Sequence, residues 1–235
     1  MTTQNIRDFL QKKWLRWLLL IAGLLLLFSF MLSLSSPPDN TGNEAQEDTK
    51  KPIQTTVPPT DISGLLYSSN GDGTCSILGI GSCTEQDLII PRKSPTGELV
   101  TAIGDGAFDH CDSIVSITLS SEIQQIGNSA FAGCKALSYI EVDRDNEAFC
   151  SIGGVLFTKN KKVLLCYPSA RAGSKYLLSS SIQQIAPFAF YGNQNLQHIL
   201  YEKTVDSFRD IKIAEGNSLL STITITCNYT TAAKG

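Results

Sequence analysis

Ile103-Gly104-Asp105-Gly106-Ala107-Phe108-Asp109-His110-Cys111 returns 23 residues later as Ile126-Gly127-Asn128-Ser129-Ala130-Phe131-Ala132-Gly133-Cys134. A third copy, Ile185-Ala186-Pro187-Phe188-Ala189-Phe190-Tyr191-Gly192-Asn193, lies 59 residues beyond the second, with asparagine where the others carry cysteine. The register extends outward from each copy. Upstream, Val100, Ile123 and Ile182 align; downstream, the apolar triplets are Ile114/Ile117/Leu119, Leu137/Ile140/Val142 and Leu196/Ile199/Tyr201. A period in the low twenties marks a solenoid of short strand-turn units. Such units cannot bury their apolar faces alone, and the extended surface they build by stacking serves binding. The repeat therefore points to recognition before catalysis.

The period implies an α/β leucine-rich-repeat solenoid, short and β-rich, with turn or short-helix connections. A single transmembrane helix is expected before it. Trp17 to Leu34 is an almost unbroken apolar run of 18 residues, close to the minimum for crossing a bilayer. Arg7, Lys12, Lys13 and Arg16 against Asp8 give the first 16 residues a net charge of +3, which keeps the N-terminus cytoplasmic by the positive-inside rule. The rival reading is a cleaved signal peptide, since Ser33-Leu34-Ser35 offers small residues at a peptidase spacing. The apolar run is longer than a typical signal core, which favours an uncleaved anchor. Either way the remainder is extracellular.

The expected organisation is a cytoplasmic stub at 1–16, the membrane helix at 17–34 and a disordered proline-rich linker at 35–60. That linker is polar, with almost nothing apolar to bury. An N-terminal β-hairpin cap follows at 61–99, where Ser68-Ser69-Asn70-Gly71-Asp72-Gly73-Thr74 reads as a turn. A second hairpin is expected about Gly79-Ile80-Gly81, and Asp87-Leu88-Ile89-Ile90 reads as a strand stopped by Pro91. Repeats occupy 100–199, with an inserted β-hairpin at 143–175 formed by Val155-Leu156-Phe157-Thr158 and Val163-Leu164-Leu165-Cys166-Tyr167. A C-terminal cap at 200–228 and a tail at 229–235 complete the chain.

These residues resemble the BspA-like leucine-rich-repeat family of bacterial and protozoan surface proteins. The likeness rests on the I-G-x-x-A-F-x-x-C elements at Ile103 to Cys111 and Ile126 to Cys134, and on the insert from Asp145-Asn146 to Tyr167-Pro168 with Gly154-Val155-Leu156-Phe157. Asp72-Gly73-Thr74-Cys75, Asp87 to Pro91 and Thr204 to Cys227 complete it. The resemblance implies a right-handed solenoid with a strand per turn, surface display, and adhesion to host proteins or other cells. The third copy departs from the pattern at Ala186 and Asn193, and no wall-sorting motif follows the repeats.

Chemistry-bearing constellations are few. Cys75 and Cys83 flank the second hairpin and make a candidate cross-strand disulfide outside the cytoplasm. Cys111 and Cys134 share one repeat position, where packing as small apolar residues competes with a disulfide. There is no Cys-x-x-Cys pair or histidine cluster, so neither metal nor cofactor is expected. Lys159, Lys161 and Lys162 read as a solvated hairpin tip, and the acidic exported part has no basic footprint for nucleic acid. His110 and His198 lie in no nucleophile motif, which argues against an enzyme.

Strand alternation turns Ile117, Leu119, Ile140, Val142 and Ile199 inward and leaves Ser116, Thr118, Tyr139, Glu141, His198 and Leu200 as the candidate partner-binding face. The expected function is non-enzymatic, adhesion-type recognition of an extracellular protein or glycan by a membrane-anchored repeat protein. The alternative is a structural or regulatory cell-envelope protein whose repeats serve as an assembly module.

Overall fold

The computed structural model describes residues 64–229. The expected stub, membrane helix and linker, and the tail beyond Tyr229, lie outside the described residues. Among the described residues no helix is long and apolar enough to cross a membrane.

The chain begins with a hairpin of β1 (Leu66–Ser69) and β2 (Thr74–Gly79), paired antiparallel across the expected Asn-Gly-Asp-Gly turn. Strands β3 (Asp87–Ile89), β4 (Leu99–Ile103), β5 (Ser116–Leu119), β6 (Gln125–Ile126) and β7 (Tyr139–Val142) follow. An insertion contributes β8 (Phe149–Ile152) and β9 (Val155–Thr158). Then come β10 (Val163–Cys166), β11 (Lys175–Leu178), β12 (Gln184–Ile185) and β13 (His198–Tyr201). A five-residue helix α1 (Val205–Arg209), β14 (Lys212–Ile213), a 3-10 turn (Ser218–Ser221) and β15 (Thr224–Thr226) close the fold.

Pairing resolves these strands into a β-rich solenoid of leucine-rich-repeat type. On one side β2, β4 and β6 run parallel, as do β10, β12 and β14; on the other, β3, β5 and β7 run parallel, as do β11, β13 and β15. Each turn thus carries two strands where one was expected. The described residues make six turns: β2–β3, β4–β5, β6–β7, β10–β11, β12–β13 and β14–β15. At the corners between the two sides, the repeated Ala-Phe loops form a third ladder. Phe108 N–H donates to the Ala130 carbonyl at 2.9 Å and His110 N–H to Ala132 at 2.8 Å.

The repeat consensus follows from that stacking. Ile103, Leu119, Ile123, Leu137 and Ile140 are sealed in the core, and Phe108 stacks on Phe131 with ring centroids 5.9 Å apart. Burying such side chains stabilises by about 2 kcal/mol each. Gly127 is required by proximity: a Cβ there would meet the Asp105 backbone nitrogen at 2.4 Å, beside the Asn128 N–H that donates to the Asp105 carboxylate at 2.6 Å.

Several expectations change. The region taken as an N-terminal cap already contains the first solenoid turn, because β2 pairs with β4 and β3 with β5. The second hairpin does not form: Ser82 to Thr84 is no strand, and the loop is tied instead by Ser82 N–H to Gly64 O at 3.1 Å. No cross-strand pair therefore exists to bring Cys75 and Cys83 together, and both thiols are buried and free. The insertion is a three-stranded β8-β9-β10 meander, and its last strand doubles as a solenoid strand. Tyr167 there takes the phenylalanine position, its N–H on Ala189 O at 2.7 Å and its ring stacked on Phe190 at 5.1 Å. The C-terminal segment is a further turn as well as a cap, since β14 continues β12 and β15 continues β13.

Candidate binding surface

Inward and outward residues separate cleanly on the sheets that carry the candidate face. Ile117, Leu119, Ile140 and Ile199 are fully buried, while Val142 is half-buried at the end of β7. The outward rows on β3, β5 and β7 are Asp87, Ser116 and Tyr139, then Ile89, Thr118 and Glu141. On β11, β13 and β15 they are Lys175, His198 and Thr224, then Leu177, Leu200 and Thr226. Ser116 Oγ donates to the Asp87 carboxylate at 2.6 Å, fixing the start of the first row.

The six candidate residues therefore divide between two sheets. Ser116, Thr118, Tyr139 and Glu141 lie on the first, and His198 and Leu200 on the second. Tyr139 and Glu141 are exposed; Ser116, Thr118, His198 and Leu200 are half-buried, Leu200 because Leu177 and Thr226 flank it in register. Strand periodicity missed Ile89, which is 70% exposed, and Leu177, which is 42% exposed. Ile89 alternates with buried Leu88 and Ile90, a signal present in the sequence. Leu177 stands just past the insert at 143–175, between Tyr176 and Leu178, so the same alternation turns it outward.

The two sheets do not join. After β7 the chain leaves the solenoid, and the β8-β9 turn lies against β7, where Ile140 N–H donates to Gly154 O at 3.0 Å. Gly153 and Gly154 both have positive φ, +55° and +84°, as a two-residue hairpin turn of this hand needs. A Cβ on Gly154 would lie 2.5 Å from the Tyr139 ring, so glycine lets that ring pack flat on the turn. Asn146, fully buried, secures the insertion's first residues. Its amide donates to Ser120 O at 2.9 Å and Ile123 O at 2.8 Å, and its oxygen accepts from the N–H of Ala148 at 2.9 Å and Phe149 at 2.7 Å. Asn193 repeats the device, which explains its place in the cysteine position. It donates to Pro168 O and Ser169 O and accepts from the N–H of Asn195 and Leu196.

The thiols are built for packing. Burial pushes Cys134 up to about 12 and raises Cys166, Cys111 and Cys75 as well, so thiolate is scarce at neutral pH. Cys134 Sγ–H points at Phe108 O, 2.9 Å away. His110 Nδ1 lies 2.7 Å from the Asp109 carboxylate, but its sequence neighbour Cys111 is held protonated by burial. Elsewhere Lys135 donates to Asp112 at 2.7 Å, and that hydrogen bond holds the Asp112 carboxyl below its usual range. No group of three or more metal-ligating side chains gathers among the described residues.

Residues 94–170 match the family model described as BspA type leucine-rich repeat region, six copies. No curated protein matches the chain. The leucine-rich repeat protein of T. pallidum is 20% identical, with TM-score 0.43 over 67% of this chain and 81% of that one. A leucine-rich repeat protein from Bacteroides capillosus is 19% identical, with TM-score 0.39 over 60% of this chain and 96% of that one. The pneumococcal vaccine antigen PcpA is 15% identical, with TM-score 0.36 over 69% of this chain and 67% of that one. Repeat regions of this type are generally non-enzymatic modules for protein–protein interaction, and no catalytic family is indicated.

Proposed function

We propose that this chain, whose repeat region is of the BspA leucine-rich type, is a membrane-anchored recognition protein. Its solenoid stands outside the cell and engages an extracellular protein or glycan through the outward strand face. The observation that carries this reading is the set of large apolar side chains left on that face: Ile89, Tyr139 and Leu177 are 70%, 44% and 42% exposed, beside the sealed Leu88, Ile90, Ile140 and Leu178. Aromatic groups in such positions are enriched at interface hot spots. The Trp17 to Leu34 run and the polar stretch up to Thr60 supply the anchor and the spacer.

The test displays the full-length chain on a bacterial surface and measures attachment to immobilised matrix proteins and glycans. Replacing Tyr139→Ala together with His198→Ala is expected to lower attachment about tenfold with surface expression unchanged. Attachment that survives both changes removes the strand face from the account.

A further inference from the structure

The break between β7 and β11 opens a cleft of about 320 Å³ between the β8-β9 turn and the first strand of the second sheet. Ile152 on the turn and Leu177 on β11 face it, 48% and 42% exposed. Lys161, Arg171 and Lys175 line it, and no carboxylate is among the lining residues. Arg171 lacks a counter-ion among the described ion pairs. Its guanidinium carbon lies 5.5 Å from the Tyr167 ring centroid, and its Nε is buried with no hydrogen-bond partner. A buried donor left unpaired is costly, and a guanidinium held against a ring presents its fork ready-made for a carboxylate.

Backbone geometry supplies the second half of the site. β11 is an edge strand, with β13 as its one strand neighbour. His198 N–H bonds to Ser174 O at 2.9 Å, and in parallel pairing the same side of β11 is used again at Tyr176 and Leu178. The backbone N–H and C=O of Lys175 and Leu177 therefore point away from β13, towards the break. An exposed edge of this kind is a template for another strand.

We propose that this cleft receives an extended acidic peptide segment of a protein partner. The segment adds as a strand along Lys175–Leu178, with a carboxylate on Arg171 and an apolar side chain between Ile152 and Leu177. The proposal rests on reading the solenoid as a binding protein, and it names the partner's chemistry. Lys175 on the edge opposes pairing with a second copy, which would set like charges near each other, and favours an acidic strand.

The test uses the full-length chain in detergent micelles and fluorescence anisotropy with a fluorescein-labelled Glu-Leu-Glu-Leu-Glu peptide. Its Gln-Leu-Gln-Leu-Gln counterpart is expected to bind at least about tenfold more weakly. Arg171→Gln and, separately, the exposed Lys175→Glu are each expected to cost about tenfold with the thermal unfolding midpoint unchanged, and Arg171→Lys to restore only part of the loss. Amides of Lys175 and Leu177 gain hydrogen-exchange protection on binding. Equal affinity for the two peptides, affinity unaltered by both charge changes, or absent protection at those amides overturns the proposal. So does preferential binding of a uronic-acid polysaccharide or self-association through this edge. Thr118→Arg, on β5 outside the cleft, separates the two readings. If it abolishes surface attachment while the cleft variants are silent, the strand face stands and the cleft falls.

Discussion

Asn146→Ala is expected to be among the most destabilising single changes outside the apolar core. The side chain is fully buried and makes four hydrogen bonds, two as donor to the carbonyls of Ser120 and Ile123 and two as acceptor from the amides of Ala148 and Phe149. Alanine leaves the Ile123 carbonyl and the amides of Ala148 and Phe149 without a partner at a site closed to solvent, and the Ser120 carbonyl keeps only the long bond from Ile123 N–H at 3.4 Å. A hydrogen bond contributes a net ~1 kcal/mol and a buried orphan amide costs about 1–3 kcal/mol, so the sum is about 4 kcal/mol. Against a total stability of about 5–15 kcal/mol that is a large fraction. With a urea slope of about 2 kcal/mol/M, the midpoint should fall by about 2 M, read by circular dichroism on the full-length chain in detergent. The damage should also be local. Amides of Ala148 and Phe149 should exchange far faster than those of β12 and β13, because the asparagine ties the insertion to the loops before β6. Asn146→Asp keeps the acceptors but loses both donors and buries a charge, so it should be no milder. A loss below 1 kcal/mol, or unchanged exchange at Ala148 and Phe149, would refute the reasoning that buried side-chain amides hold the insertion in place.

Gly154→Ala should cost about 2 kcal/mol, since it combines φ +84° with a Cβ 2.5 Å from the Tyr139 ring, whereas Gly71→Ala pays only for its own φ of +81° because nothing lies within 4 Å; chemical denaturation compares the two. Stability should decline with alkaline pH. Cys134 is raised by burial from 9.0 to about 12, so its contribution is complete below pH 9 and is lost as pH climbs towards 12, and Cys134→Ser should flatten that stretch of a stability–pH curve. Replacing residues 1–34 by a cleavable signal peptide should release the repeat region into the medium with its partner binding intact, measured by surface plasmon resonance; an effect confined to the anchored form would favour an envelope-assembly role instead.

Much of the solenoid was legible because its repeats obey two strict requirements: a sealed apolar row, and a glycine or small residue where turns approach closely. Ile103, Ile126 and Ile185 with Phe108, Phe131 and Phe190 declare three turns outright. The other turns hid for identifiable reasons. From Leu164 to Tyr167 the corner is two residues shorter than from Ile103 to Phe108, so the Ala-Phe signature is missing although Tyr167 fills the same core position. In the final turn the Asn217 side chain replaces backbone pairing, accepting from Phe190 N–H at 3.0 Å, and no repeat pattern encodes that substitution. β8 escaped because Phe149-Cys150-Ser151-Ile152 alternates weakly, yet Gly153-Gly154 after it was a hairpin signal in plain view.

Legibility of the surface fails at another level. Alternation within a strand predicts which side chains turn outward, and it did so for Tyr139 and Glu141. It does not say whether successive strands share one sheet. That depends on a tertiary fact, the β8-β9 turn lying against β7 through Gly154 and leaving β11 as an edge. The same two glycines that let Tyr139 pack flat therefore divide the strand face. They place acidic Asp87 and Glu141 on one sheet and cationic Lys175 on the other. A solenoid with an unbroken sheet would present a single charge-mixed face. Here the interruption sorts the charges and turns one outward row into a backbone edge, so the segment that reads in sequence as a defect in the repeat is what gives the surface two chemically distinct halves.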